Sequence, residues 1–223
     1  MRLQDKLDAF TANAVEKGLL SQSVLARFAK GTKDLVESGQ AERTVKAGDV
    51  APVFSLPDAD GAIFDSHKHL VRGPLVVTFY RGVWCPYCNL DLQALEAARG
   101  EIESRGASLV ALSMQNAANS RKSQRDNRLG FPILVDFKGA VADRFGLRFT
   151  LPDYLVEVYK QFGNDLVQIN GEPSWSLPMP ARYVIDRGGV VAYAEVNPDY
   201  TKRPDPSELF PVLDSLKAAR AVA

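Results

Sequence analysis

The sequence predicts an α/β domain: a mixed central sheet with helices on both faces. Three observations predict it. The first is a strand–helix–strand succession. Leu75-Val76-Val77-Thr78-Phe79-Tyr80 is a continuous β-branched and aromatic run, Leu92, Leu95 and Ile102 then recur at helical spacing, and Leu109-Val110-Ala111-Leu112 is a second apolar run. Such a unit implies two parallel strands joined by a right-handed crossover. The second is a tight pair of strands, Arg182–Asp186 and Val190–Val196, split by Arg187-Gly188-Gly189, which forms an antiparallel hairpin. The third is a closing helix after Ser207, carried by Leu209, Val212, Leu213 and Leu216.

The other elements follow in chain order. Leu3, Leu7 and Phe10 predict a first helix stopping at Gly18; Val24, Leu25, Phe28, Leu35 and Val36 predict a second, from Ser21 to Gly39. Together they read as an N-terminal helical extension over residues 1–45, whose apolar faces must pack on the main domain or on a second subunit, so a homodimer is expected. Thr44–Val50 is no clear element. Pro52–Leu56 reads as a strand and Asp58–Gly61 as a turn. Ala117–Arg128 is a polar helix, Ile133–Val135 a short strand, and Val141–Phe145 returns to helical spacing. Leu151–Gly171 reads as an insertion with its own helix, using Leu155, Val158, Tyr159 and Phe162. The main domain is thus 46–223, with a helical insertion near 148–175.

The bulk numbers narrow the function. The chain has 223 residues, 46% hydrophobic and 24% charged, the balance of a soluble globular protein. A formal net charge of zero gives no footprint for nucleic acid or a membrane surface. No apolar run is long enough to span a bilayer, and MRLQDKLDAF lacks the apolar core of a signal peptide, so a cytoplasmic location is expected. Two cysteines are too few for a secreted disulfide framework, which a chain of this size does not need.

Those two cysteines, Cys85 and Cys88, sit in Trp84-Cys85-Pro86-Tyr87-Cys88, where a buried strand ends and a helix begins. The free N–H groups and dipole of a helix start stabilise a thiolate there. Pro86 suits the first helical turn, because its missing N–H has no partner to lose. Residues three apart on a helix are neighbours, so the sulfurs can close a disulfide. Cys85 is expected to be the exposed partner and Cys88 the buried one. Trp84 and Tyr87 are expected to shape the surface around them. Arg81 either lowers a sulfur's pKa or is a surface arginine at a strand end. In Leu177-Pro178-Met179-Pro180, Pro180 is a candidate cis proline, and the backbone of Met179 could pair with an incoming peptide. A zinc alternative would join the cysteines to the only histidines, His67 and His69, but these read as surface residues near a turn. No metal and no cofactor are expected.

The stretch Phe79 to Asn89, with its Trp-Cys-Pro-Tyr-Cys core, resembles the peroxiredoxin-like branch of the alkyl hydroperoxide reductase/thiol-specific antioxidant family. Gly48-Asp49-Val50-Ala51-Pro52-Val53-Phe54-Ser55-Leu56 is similar to that family's opening strand. Phe131-Pro132-Ile133-Leu134-Val135-Asp136, with Ala142-Asp143-Arg144-Phe145-Gly146, is similar to its middle, and Pro180–Gly189 to its late strand and turn. The resemblance implies a thioredoxin-like fold. The family motif P-x-x-x-T-x-x-C places its peroxide-attacking cysteine on Cys88, its threonine on Cys85 and its proline on Arg81. The family's arginine before the late strand falls on Pro180, as in thioredoxins, which attack with the residue at Cys85; Cys-Pro-Tyr-Cys itself is the glutaredoxin tetrad. The resemblance implies an antioxidant peroxidase that cycles Cys85 and Cys88 between dithiol and disulfide and is recharged by a thioredoxin- or glutathione-type reductant. A protein disulfide oxidoreductase is the first alternative, with Cys85 attacking and Cys88 resolving. A redox-sensing or zinc-binding module without turnover is the second.

Overall fold

The structure, a computed structural model, describes residues 1–222, with side chains through Ala218. Two helices open it, α1 (Leu3–Glu16) and α2 (Gln22–Glu37). Ser21 caps α2, its hydroxyl accepting the Val24 N–H at 3.3 Å. The expected strand at Pro52–Leu56 is shorter and displaced: β1 (Ser55–Pro57) pairs antiparallel with β2 (Ile63–Asp65). The Asp58 carboxylate holds the turn between them by accepting the N–H groups of Asp60 and Ala62. A helix then follows in a segment where no element was expected. The Asp65 carboxylate accepts the Lys68 N–H and starts α3 (Ser66–Arg72), which carries both histidines.

The remaining elements run β3 (Leu75–Phe79), α4 (Pro86–Ser104), β4 (Ser108–Ser113), α5 (Ala117–Asn127), β5 (Ile133–Val135), α6 (Ala140–Arg144), β6 (Arg148–Thr150), α7 (Asp153–Gln161), α8 (Leu166–Asn170), β7 (Ser176–Pro178), β8 (Ala181–Ile185), β9 (Val191–Val196) and α9 (Leu209–Val222). The five-stranded sheet has the order β5-β4-β3-β8-β9. β3, β4 and β5 run parallel, and β8 joins β3 antiparallel with Val77 opposite Tyr183. β8 and β9 form the expected hairpin. This mixed sheet with helices on both faces is a thioredoxin-like fold.

β3 is buried on both faces, as its unbroken apolar run requires. Leu75, Val77 and Phe79 pack with Phe145, Leu147 and Met179 on one side. Val76 and Tyr80 pack on the other with both cysteines, Leu92, Leu95 and Ile102 of α4, and Leu209 and Leu213 of α9. The first helix belongs to this second layer: Leu3 and Leu7 are buried in it. α2 differs, because none of its side chains is fully buried. The segment after α6 leaves and returns through the β6–β7 pair, which places α7 and α8 beside the start of α4 around Leu151, Leu155, Tyr159, Leu166 and Leu177. Among the described residues no helix is long and apolar enough to cross a membrane.

Leu7 has no exposed surface and joins α1 to the cysteine-bearing layer. Leu7→Ala is expected to lower stability by about 2 to 4 kcal/mol through lost burial and a residual cavity, read as a shifted midpoint in urea denaturation.

Candidate active site

β3 ends in a loop, Tyr80 to Trp84, that delivers Cys85 to the start of α4. Cys85 is the N-cap in extended conformation, and Pro86 is the first helical residue. The Cys85 carbonyl accepts the Asn89 N–H at 3.0 Å, the first bond of the helix. The loop is fixed from both sides of one residue. The Val83 N–H donates to Gln115 Oε1 at 2.8 Å, and the Val83 carbonyl accepts from Asn89 Nδ2 at 2.8 Å. Gln115 in turn donates to the Tyr80 hydroxyl, and Asn127 donates to Asn89. Gly82 is required here: its φ is +149°, and a Cβ would lie 2.6 Å from Trp84 Nε1.

Both cysteines are free thiols. The expectation that Cys85 is exposed is not met, since it is 1% exposed against 0% for Cys88. The helices α1 and α2 and the insertion stand over it. Even so, the two sulfurs differ, because Cys85 lines a cavity of about 710 Å³ and Cys88 does not. Burial by itself raises the Cys85 thiol, but a hydrogen bond from Cys88 and the charges of Arg81 and Arg203 outweigh it and draw the pKa down to about 6. Cys88 is pushed well above an ordinary thiol, first by burial and then by the neighbouring Cys85.

Arg81 is 4% exposed, not a surface arginine. Its guanidinium lies 4.0 Å from the Tyr200 ring centroid and 4.9 Å from that of Trp84. Arg81 Nε and Trp84 Nε1 are buried with no hydrogen-bond partner among the described residues, and both side chains line the Cys85 cavity. Tyr87 is buried at the same wall, its hydroxyl 2.9 Å from Thr11 of α1.

Behind Cys88 lies a charge cluster that sequence reasoning missed. Arg203, from the loop after β9, points Nη2 at Cys88 Sγ at 3.8 Å and Nε at Asp91 at 3.5 Å. Arg182 on β8 pairs with the other Asp91 oxygen and donates to the Pro204 carbonyl at 3.1 Å. Glu195, opposite Arg182 on β9, is raised by burial to about 7 against the pull of both arginines. Two signals were available: Arg182 interrupts the apolar strand Ala181–Ile185, and Asp91 interrupts Leu90 and Leu92. Lys202-Arg203-Pro204 carried none.

Two other expectations are corrected. No peptide bond among the described residues is cis, so Pro180 is trans. The Met179 N–H donates to the Leu147 carbonyl at 2.8 Å, extending the β6–β7 pairing, and both Met179 and Pro180 are buried. That N–H is therefore not free to pair with an incoming peptide. The histidines are not near a turn but on α3, where His69 stacks on Phe64 at 3.9 Å and His67 is exposed. Among the described residues no three His, Cys, Asp or Glu side chains converge as a metal-binding group, so the cysteines and histidines do not form a Cys2His2 set.

Residues 47–194 match the model of the AhpC/TSA family. The chain belongs to that family. It is 27% identical over 172 residues to peroxiredoxin Q, chloroplastic, of Oryza sativa subsp. japonica, covering 77% of this chain and 68% of the relative. It is 29% identical over 103 residues to peroxiredoxin Bcp of Escherichia coli (strain K12), covering 46% of this chain and 65% of the relative. Among solved structures, peroxidoxin BcpB from Mycobacterium tuberculosis superposes with a TM-score of 0.60 at 23% identity, over 78% of this chain and 97% of that one. At that identity the likeness shows the fold, which agrees with the sheet order described above. The chain is a peroxiredoxin-like member of the thioredoxin superfamily, and the family match ends before Tyr200 and Arg203 and begins after α1 and α2.

Two measurements check the electrostatics. In the reduced protein the ultraviolet thiolate absorbance is expected to rise with a midpoint near pH 6. Cys85→Ser removes that step, and Arg81→Met moves it upward, because one of the cations favouring the thiolate is lost. Separately, Arg182→Met strips a buried cation from Asp91, and equilibrium denaturation is expected to show a loss of about 3 kcal/mol.

Proposed function

We propose that the protein is a thiol-dependent antioxidant peroxidase in which Cys85 attacks the hydroperoxide and Cys88 resolves. The observation that carries this reading is one shared cavity wall: the lowered-pKa sulfur of Cys85 with Arg81, whose buried Nε has no hydrogen-bond partner among the described residues. An unpartnered buried donor is costly to keep. It is explained if a peroxide oxygen completes it.

The Cys85 thiolate donates an electron pair to the terminal oxygen of R–O–OH, and the O–O bond breaks. The departing alkoxide, held by Arg81 and Trp84 Nε1, takes a proton from water and leaves as the alcohol. Cys85 is now a sulfenic acid and carries no charge. The neighbouring negative charge that raised Cys88 is gone, while Arg203 still faces its sulfur at 3.8 Å. Cys88 therefore deprotonates more readily, attacks the Cys85 sulfur, and water leaves as the disulfide forms. A dithiol reductant of the thioredoxin type, or two glutathione thiols, returns both cysteines to the thiol state by exchange. A reducing compartment such as the cytoplasm suits this cycle.

The disulfide-oxidoreductase alternative is less well supported, because Cys85 lies under α1, α2 and the insertion and the Met179 N–H is already bonded. The two readings part on single-cysteine variants. Cys85→Ser is expected to lower the second-order rate with hydroperoxide by on the order of a thousandfold or more. Cys88→Ser is expected to complete one fast turnover and stop at a sulfenic acid that dimedone captures, as seen by mass spectrometry. A fast burst in Cys85→Ser with none in Cys88→Ser would reverse the two roles.

A further inference from the structure

The second helix poses a packing problem. On α2 the residues Leu25, Phe28, Ala29 and Thr32 share one face, at intervals of three, four and seven, and all of them line the Cys85 cavity. Yet no α2 side chain is fully buried. Phe28 anchors the helix on the cluster of Leu155, Tyr159 and Leu166, and the rest of this face looks onto open space instead of a packed core. The wall opposite is aromatic. Phe28 makes edge contacts with Tyr159 and Tyr200 at centroid distances of 6.3 Å, and Trp84 meets Tyr159 at 5.0 Å. From α1, Phe10 closes on Tyr87 at 5.3 Å. The volume, about 710 Å³, is far more than hydrogen peroxide can use and falls in the range of roughly 300–1,000 Å³ that holds drug-sized molecules. α1, α2 and Tyr200 all lie outside the residues shared with the family, 47–194.

We propose that this cavity is a substrate-selecting chamber for hydroperoxides whose organic part is bulky and apolar, of arylalkyl size or larger, and that α1 and α2 supply the selection. The peroxide group sits at Cys85 and Arg81, and the apolar group fills the space before Leu25 and Phe28. The inference rests on the peroxidase reading for the chemistry, but the chamber has its own readout in ligand binding. Burial of the organic group removes apolar surface of both ligand and α2 from water, a gain that hydrogen peroxide cannot provide.

The test compares kcat/KM for cumene hydroperoxide and for hydrogen peroxide in the full chain, with equilibrium binding of cumyl alcohol, the unreactive product, followed by tryptophan fluorescence. The native protein is expected to favour cumene hydroperoxide and to bind cumyl alcohol. Phe28→Asp puts a carboxylate on the chamber wall that the ligand would have to desolvate. It is expected to lower the cumene-to-hydrogen-peroxide ratio by about tenfold and to weaken alcohol binding in parallel, while Phe28→Leu keeps both. Leu25→Asp, on the same face, repeats the test if Phe28→Asp is poorly folded. Equal use of the two peroxides without alcohol binding overturns the chamber and leaves the peroxidase reading standing. Alcohol binding without reduction of either peroxide overturns the peroxidase reading and leaves the chamber standing. If Phe28→Asp converts a dimer into monomers in sedimentation and leaves the ratio unmoved, a second copy covers α2 and the proposal fails.

Discussion

A thiolate at 1% exposure has almost no water around it, and the structure about Cys85 is organised by that constraint. Desolvation works against the charged sulfur, so the protein must supply the missing stabilisation from fixed groups. It does so with the start of α4, with the Cys88 thiol, and with two guanidinium groups, Arg81 and Arg203. Each has its own support. Arg81 is clamped between the Tyr200 and Trp84 rings. Arg203 is tied to Asp91 and to the carbonyls of Tyr200 and Lys202, at 2.7 and 2.6 Å. Asp91 is the hinge of the arrangement, since it faces both Arg203 and Arg182. Without it, two buried cations would lie close together with no carboxylate between them, except for Glu195, which burial holds near neutrality's edge at about 7.

Segments on both sides of the family match, α1 and the loop after β9, are therefore parts of the site, as is α7 within it. α1 is keyed into the cysteine layer by Leu3 and Leu7 and touches Tyr87 through Thr11. The insertion brings Tyr159 against Trp84, and the loop after β9 brings Tyr200 and Arg203. Burying Cys85 by these three segments is what makes the guanidinium charges effective: a charge acts on a sulfur far more strongly when water is excluded from between them. The same residues line the cavity at Cys85, so under the proposed function the electrostatics of the nucleophile and the shape presented to its substrate have one origin.

The sheet and its crossing helix were legible in the sequence because their signals are local. An unbroken apolar run such as Leu75–Phe79 is a strand buried on both faces, and Pro86 marks a helix start from chemistry confined to one turn. Cys85 and Cys88 were legible for the same reason. The small strands β2, β6 and β7 were not, and β1 was placed too early, because such short strands depend on partners that the local sequence does not name. α3 was missed because its apolar content is slight and its start rests on a single capping aspartate, Asp65. Exposure of Cys85 was misjudged because it is decided by α1, α2 and α7, whose positions over the sulfur are tertiary facts. Arg203 was invisible because its partners, Asp91 and Cys88, are distant in the chain, Cys88 by 115 residues.

The family frame and the cysteine pair make different demands, and the positions of the arginines show how both are met. In the resemblance to the family motif, the place of the arginine before the late strand is taken by Pro180, which is trans and buried. A cation beside the reacting sulfur is still needed, because burial alone would leave Cys85 a protonated, unreactive thiol. Arg81, in the loop after β3, and Arg203 both favour charge on Cys85, and Arg203 also faces the Cys88 sulfur. Both guanidinium groups favour charge on either sulfur, so in the proposed cycle negative charge can rest on Cys85 before oxidation and be favoured on Cys88 once Cys85 has become neutral. The two cysteines share one buried charge, and the two arginines keep it near the sulfur pair through both steps.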